Sequence, residues 1–279
     1  MQNNYDSILE CSKKYWGVLY SKKQSEKIYS RKFLRRIKNI FWKGNYSKDI
    51  FWHICERYLP KGSYKTIEIG SAPGSYLIEF HKKFGHIPYG VDFSEQGVQL
   101  SRSLFIRHNL PPENIIFADF LSDEFQRNFA EKFEIVYSLG VIEHYTNVEQ
   151  IVKKHINLLI PGGILLISIP NFRNLNYILL NFFFKEALKM HNLNIMSKDK
   201  FLSLFNHNLL LCLYSGYFGI FNFNLFSTGG NKSSFLTHTL SFCKRSQLIL
   251  DIIFKSFFNK FIIGNSFTSP YLIYIGRKK

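Results

Sequence analysis

Between residues 64 and 171 the chain alternates short apolar runs with amphipathic ones. YKTIEIG, HIPYGVDFS, NIIFADF, EIVYSLGVIEH and GGILLISIPN read as five strands. Between them GSYLIEFHKKFG, closed by Gly85, EQGVQLSRSLFIRHNL and NVEQIVKKHINLLI carry apolar residues at helical spacing. SDEFQRNFAEKF reads as a polar, acid-rich connection, and Pro161-Gly162-Gly163 as the turn before the fifth strand. Strands alternating with helices predict a parallel, doubly wound α/β sheet. In such sheets ligands sit outside the carboxyl ends of the strands, so the informative residues are those just after each strand.

The flanks follow other patterns and divide the chain into 1–60, 61–170 and 171–279. Residues 1–60 read as a helical extension. KYWGVLYSKK and SRKFLRRIKNIFW mix aromatic and basic residues, with Phe33, Leu34, Ile37, Ile40 and Phe41 at helical spacing. After Asn171 the expected elements are a helix over NLNYILLNFFFKEALKM, strands LLLCLY and GIFNFNLF, a helix over SQLILDIIFKSFFNKFII and a last strand YLIYIGRKK. Phe201 to Asn231 holds no Lys, Arg, Asp or Glu. Asn222 and Asn224 alternate with Phe221, Phe223 and Leu225, and Gly216 and Gly219 break the run, which predicts a buried hairpin rather than a membrane span. In the late helix Asp251, Lys255 and Asn259 form a polar stripe beside a wide apolar face, of the kind that packs into a core or lies on a membrane surface.

Charge sharpens this division. The 279 residues carry a net +16. With 13 basic and 5 acidic residues, 1–60 holds +8; 61–170, with 10 and 12, holds −2; 171–279, with 13 and 3, holds +10. The middle is an ordinary globular domain, while the flanks suit a solvated surface or an anionic partner: a nucleic acid, anionic lipid or a phosphorylated substrate. Cys11, Cys55, Cys212 and Cys243 form no CxxC pair, so neither a disulfide framework nor a zinc signature is expected. MQNNYDSILE lacks the charged and apolar regions of a secretory signal, and a cytoplasmic location is the expectation.

The strand ends carry the chemistry. The first strand ends in Glu68-Ile69-Gly70, followed by Ser71-Ala72-Pro73-Gly74-Ser75. Small residues there let backbone N–H groups and a helix N-terminus approach an anionic group. The G-x-G-x-x-G pattern of a dinucleotide site is absent, since Ala72 and Ser75 stand at its second and third glycines. The second strand ends at Asp92, an acid placed to accept ribose hydroxyls. The third ends at Asp119-Phe120, an acid beside an aromatic, which suits adenine. Each acid alone is equally a helix cap. Three at successive strand ends form a set.

The order E-x-G-x-A-P-G, VDFS, ADF, SLGVIEH and LIPGGILLISIPN resembles the class I S-adenosyl-L-methionine-dependent methyltransferases, and most of all the ubiquinone/menaquinone-biosynthesis-type and glycan-cluster group. The resemblance implies a Rossmann-like, mostly parallel seven-stranded sheet with S-adenosyl-L-methionine as cofactor. It places Glu68 near the methionine ammonium and sulfonium, and Gly70, Ser71, Ala72 and Gly74 around the methionine carboxylate. Asp92 then falls at the ribose, Asp119 and Phe120 at the adenine, Ser138, Leu139 and Gly140 on the methyl-donor side, and Phe93 among the cofactor contacts. Relatives with E-x-x-E-H after the fourth strand bind a divalent metal there; this chain has Gly140 in place of the first carboxylate, so no metal is expected. The N/D-P-P-Y/F motif of base N-methylating enzymes is absent.

Methyl transfer from a sulfonium is an in-line displacement that profits from positioning and, for a hydroxyl acceptor, from a base. His144 after the fourth strand and His191 in KMHNLNIM are the candidate bases. Glu143, Tyr145 and Asn171 are the candidate acceptor contacts. The leading reading is O-methylation of a small molecule, a sugar or glycan intermediate that is nucleotide- or lipid-linked, with peripheral contact to an anionic membrane. Two alternatives stay open: an RNA methyltransferase whose basic flanks meet phosphates, and a non-catalytic, membrane-associated cofactor-binding scaffold.

Overall fold

The computed structural model describes residues 45–225, 234–258 and 264–279. The helices expected in KYWGVLYSKK and SRKFLRRIKNIFW lie outside the described residues.

The described chain opens with α1 (Tyr46–Tyr58), whose first turn is capped by Asn45 accepting the Lys48 N–H at 3.2 Å. Then come β1 (Lys65–Ile69), α2 (Ser75–Phe84), β2 (Ile87–Asp92), α3 (Glu95–Arg107), β3 (Ile115–Phe117), α4 (Asp123–Phe129), β4 (Phe133–Leu139), α5 (Val148–Asn157) and β5 (Leu159–Pro170). Short helices α6 (Asn174–Phe183), α7 (Lys185–Lys189) and α8 (Lys198–Ser203) lead to β6 (Leu210–Phe218), α9 (Ser234–Phe258) and β7 (Tyr271–Lys278).

The seven strands form one sheet in the order β3-β2-β1-β4-β5-β7-β6. The chain winds outward from β1 to β3, then returns to lay β4 on the other side of β1, parallel to it. That reversal between β1 and β4 opens a crevice at the strand ends. β7 runs antiparallel between β5 and β6, with Leu166 opposite Ile275 on one side and Gly216 opposite Ile273 on the other. Alternate residues of the central strands feed two cores. Ile67, Ile69 and Val136 join Val148, Ile151, Val152 and Ile156 of α5 on one face. Ile135 and Tyr137 join Ile50, Ile54, Leu77 and Phe80 of α1 and α2 on the other.

The structure departs from the sequence reading in four places. The acid-rich connection contains α4, capped by Ser122, whose side chain accepts the Phe125 N–H. β5 starts at Leu159, before the turn: Phe133 pairs with Leu159, Pro161-Gly162 bulges outward with Gly162 at φ +77°, and pairing resumes at Ile135 opposite Ile164. The hairpin does not form. Gly216 lies inside β6, whose partner is β7, and the segment after Gly219 makes a single 3-10 turn at Phe223–Leu225. Its backbone bonds to a helix side chain instead: the Phe223 N–H donates to Gln247 Oε1 (3.0 Å), and Gln247 Nε2 donates to the Phe221 carbonyl (3.1 Å).

The fourth departure is the orientation of α9. At its described positions the polar stripe faces the protein, Asn259 lying outside the described residues: Asp251 is buried and bonded to buried Gln247, and Lys255 pairs with Asp49 of α1. Phe242, Ile249, Ile252, Ile253 and Phe257 point outward, Phe257 77% exposed. Among the described residues no helix is long and apolar enough to cross a membrane.

Candidate active site

The crevice at the β1–β4 reversal is lined by Ile69, Gly70, Ala72, Val91, Asp92, Phe93, Ala118, Phe120, Leu139, Gly140, Val141, His144 and Tyr145, and opens to solvent, with about 750 Å³ of empty space including its mouth. Gly70 sits at its floor. Its N–H donates to the Val91 carbonyl at 2.9 Å, its φ is +70°, and a Cβ there would meet Val141 Cγ2 at 2.8 Å. Only glycine takes that conformation without strain. Gly97, in the first turn of α3, lets the helix close on the loop, for a Cβ would stand 2.7 Å from Ala72 Cβ.

Asp92 closes β2 with its carboxylate anchored at both oxygens. Oδ2 accepts the Ala72 N–H (3.1 Å) and Oδ1 the Ser94 N–H (2.8 Å). Burial raises its pKa and these two donors lower it, with burial the stronger. The carboxylate is therefore rigid and faces a slot whose walls, Val91, Phe93, Ala118 and Phe120, are apolar. An acid for a diol beside apolar walls for a flat base is the donor set a nucleoside needs. Ser71 and Ser138, two of the sequence candidates, are buried outside this lining, and their hydroxyl oxygens have no hydrogen-bond partner among the described residues. The residues present fit S-adenosyl-L-methionine.

A second cavity, open to solvent and of about 910 Å³ including its mouth, adjoins the first across Leu139, Gly140 and His144, which line both. Its aromatic walls are Phe51, Tyr76, Phe172, Phe218 and Tyr271, and its polar groups include Asn45, Lys48, Glu143, Ser168 and His191. Lys48 bridges to Glu79. The rings of His144 and His191 lie 4.4 Å apart between centroids. His144 Nδ1 donates to the Met190 carbonyl (3.0 Å) and His191 Nδ1 to the Ala187 carbonyl (2.5 Å). Burial lowers both imidazoles, and the His144 ring adds to the effect on His191, which falls to about 3. Burial pushes the Glu143 carboxyl up to about 8.

The structure gathers many of the sequence candidates and sets others apart. Gly70, Ala72, Asp92, Phe93, Phe120, Leu139, Gly140 and Tyr145 line the first cavity, and Glu143, His144 and His191 the second. Gly74 caps α2 in a left-handed conformation, outside both linings. Glu68 is also outside both: it points to the α2 side, where the Tyr137 hydroxyl donates to it at 3.1 Å and burial raises its pKa well above the usual range. Asp119 is exposed, holding the Leu121 N–H at 2.9 Å, and together with Asp92 it raises the Tyr145 hydroxyl after burial has done so. Asn171 is fully buried away from both cavities. Its Nδ2 donates to the Ser266 and Ser269 carbonyls and its Oδ1 accepts the Arg173 N–H, so it clamps the loop before β7 to the end of β5. Sequence reasoning missed Asn45, Lys48, Tyr76 and Tyr271. Tyr76 was visible only as part of an apolar helix face, and Tyr271 only as the first residue of a strand.

A doubly wound sheet with β7 reversed, an acid after β2 and a glycine floor between β1 and β4 define a class I, S-adenosyl-L-methionine-dependent methyltransferase. The chain belongs to the methyltransferase-domain family, whose model matches residues 27–210. A search of curated proteins finds no match. Among solved structures the chain is similar to the MccD protein, with TM-score 0.56 and 14% identity over 83% of this chain and 96% of that one. It is also similar to a putative methyltransferase of Bacillus halodurans, with TM-score 0.54 and 17% identity over 83% and 99%. A third, geranyl diphosphate C-methyltransferase of Streptomyces coelicolor in complex with Mg²⁺, geranyl diphosphate and S-adenosyl-L-homocysteine, has TM-score 0.53 and 11% identity over 84% and 79%. At these identities the likeness is one of fold.

Proposed function

We propose that this methyltransferase moves a methyl group from S-adenosyl-L-methionine to a hydroxyl of a small-molecule acceptor, a sugar or glycan intermediate. The observation that carries the reading is the second cavity, which joins the cofactor crevice at Leu139, Gly140 and His144. Its aromatic walls suit the apolar faces of a sugar ring, and Asn45 and Ser168 offer bonds to its hydroxyls. The cofactor supplies an activated methyl on a sulfonium. Asp92 fixes the ribose, and Phe93 and Phe120 fix the base, so the methyl is aimed past Leu139 and Gly140. The acceptor hydroxyl must lose its proton as the new bond forms, and His144, which lines both cavities, is the base in position.

Two features support a lipid-linked acceptor used at an anionic membrane. The outward face of α9 is a row of large apolar side chains, and residues 171–279 carry +10. The test is calorimetric titration with S-adenosyl-L-homocysteine, followed by mass spectrometry of nucleotide sugars and lipid-linked glycans incubated with cofactor and enzyme. Micromolar binding and a gain of one methyl on a glycan acceptor are expected. A folded protein that does not bind S-adenosyl-L-homocysteine, or one that methylates RNA and no glycan, would refute the reading.

A further inference from the structure

The turn after β4 and the segment after α7 are far apart in sequence, yet they are tied together in the acceptor cavity. The Asn192 N–H donates to the Glu143 carbonyl at 2.7 Å, Asn192 Nδ2 donates to the Tyr145 carbonyl at 3.3 Å, and His144 donates to Met190 at 3.0 Å. His191 is held within this tie by its bond to Ala187. In a neutral imidazole only the protonated nitrogen can donate to a carbonyl, so both rings are the tautomer with hydrogen on Nδ1 and the lone pair on Nε2. Beside them Glu143 is 1% exposed, and its Oε2 has no hydrogen-bond partner among the described residues. One ligand atom from each of Glu143, His144 and His191 lies within 4.8 Å of the other two. Ionising a buried carboxyl that has no donor at Oε2 is costly, and a cation held between it and the two imidazoles would offset that cost.

We propose that Glu143, His144 and His191 form a site for one divalent transition-metal ion, with its remaining positions open to the acceptor. Two imidazoles and one carboxylate favour zinc, iron, cobalt, nickel or manganese over magnesium and calcium, which take mainly oxygen ligands. The carbonyls of Met190 and Ala187 play the part of the outer partners that orient metal-bound histidines. His191 takes the place of the carboxylate missing at Gly140, and it comes from a segment whose approach to the β4 turn is set by the fold. What the ion does rests on the methyltransferase reading. An acceptor hydroxyl bound to the cation releases its proton to solvent more readily, the oxygen–methyl bond forms as the sulfur–methyl bond breaks, and S-adenosyl-L-homocysteine leaves. The ion then takes over the part given to His144 as base, and His144 becomes a ligand.

The test uses tag-free, full-length protein stripped with chelator and titrated with Co²⁺, followed by visible absorption and calorimetry. S-adenosyl-L-homocysteine binding is measured on the same samples. One equivalent of Co²⁺ should bind with the d–d bands of a protein-held ion. His191→Ala and Glu143→Gln should each weaken that binding at least ~10-fold, the scale on which disturbing a metal site tells, while leaving S-adenosyl-L-homocysteine binding intact. Two variants at different ligands guard against a folding defect in one. No Co²⁺ binding in a parent protein that binds S-adenosyl-L-homocysteine overturns the site and spares the methyltransferase reading. Co²⁺ binding unchanged in both variants overturns it as well. Site-specific Co²⁺ binding without S-adenosyl-L-homocysteine binding upholds the metal site and removes the methyltransferase reading instead.

Discussion

Exchanging Asp92 for asparagine separates two roles that one carboxylate performs. In the parent each oxygen accepts a backbone N–H, one from Ala72 at 3.1 Å and one from Ser94 at 2.8 Å. An amide has one accepting oxygen, so in Asp92→Asn one of these N–H groups faces an NH₂ and goes unpaired. A buried donor left unmade costs about 1–3 kcal/mol, which the urea midpoint should register. The ribose hydroxyls lose a charged acceptor at the same time. Bonds to charged groups contribute about 1.5–3 kcal/mol against about 1 for neutral ones, so two such bonds weaken by about 1–4 kcal/mol together. That is roughly a 5- to 700-fold loss of affinity at 1.4 kcal/mol per tenfold. Because burial raises the Asp92 pKa, the carboxylate is most fully charged on the alkaline side, and calorimetry with S-adenosyl-L-homocysteine belongs at about pH 8. A variant that loses the predicted stability yet binds within threefold of the parent would refute the ribose assignment and leave Asp92 as a clip between two loops.

Three further outcomes follow from single positions. Gly70→Ala incurs about 1–2 kcal/mol of left-handed strain and also drives a Cβ to 2.8 Å from Val141, whereas Gly162→Ala at φ +77° meets nothing within 4 Å. Urea melts should show Gly70→Ala as the costlier change, and equal losses would show that Val141 yields freely. His155 is pushed down to about 4 by burial, against its bond to Ile151, so it stays neutral in the fold while the unfolded chain protonates near 6.5. Stability is therefore steady above about pH 6.5 and falls by up to ~1.4 kcal/mol per pH unit toward pH 4, a slope that His155→Leu should flatten in melts at pH 7 and pH 5. Glu68 is raised by burial beyond the Tyr137 bond that lowers it, so its ionisation costs the fold stability as pH rises above the ordinary carboxyl range. The melting temperature of Glu68→Gln should gain on the parent between pH 5 and pH 8, and a constant difference would place the charge in contact with solvent.

The strands were legible because they are written as short runs rich in β-branched and apolar residues: Ile67, Ile69, Ile135 and Leu165 need no knowledge of their partners to be recognised. Asp92 was legible for a similar reason, since its position after a strand fixes its place in the fold. The second cavity was legible at Glu143, His144 and His191 but not at Asn45, Lys48, Tyr76 and Tyr271, because these come from separated segments and each has an ordinary local role. Periodicity located the polar stripe on α9 but could not say which face meets the protein. That was decided by a long-range match, in which Gln247 satisfies the Phe221–Phe223 backbone and Lys255 pairs with Asp49. Asn171 shows the reverse error: a polar residue at a strand end reads as a site until its amide is seen to be fully used.

The two cavities assign different consequences to different parts of the chain. Between β1 and β3 the lining residues face the cofactor side except Tyr76 of α2, which faces the acceptor side together with residues of α1 and β7. Leu139, Gly140 and His144 line both, on the turn after β4. Gly140 is held there by its N–H on the Ser168 carbonyl at 2.8 Å and by a φ of +74°. Chemistry between donor and acceptor has to cross this turn, since it is where the two spaces meet. Changes at Phe93 or Phe120 should therefore alter cofactor affinity with the choice of acceptor intact, and changes at Tyr76 or Tyr271 the converse. Changes at Gly140 or His144 should lower turnover, because near-attack geometry depends on both spaces at once. The order in the sheet makes this division physical: β7 inserts beside β5 and carries Tyr271 to the acceptor side, so the late third of the chain, with its exposed α9, can vary the acceptor without disturbing Asp92.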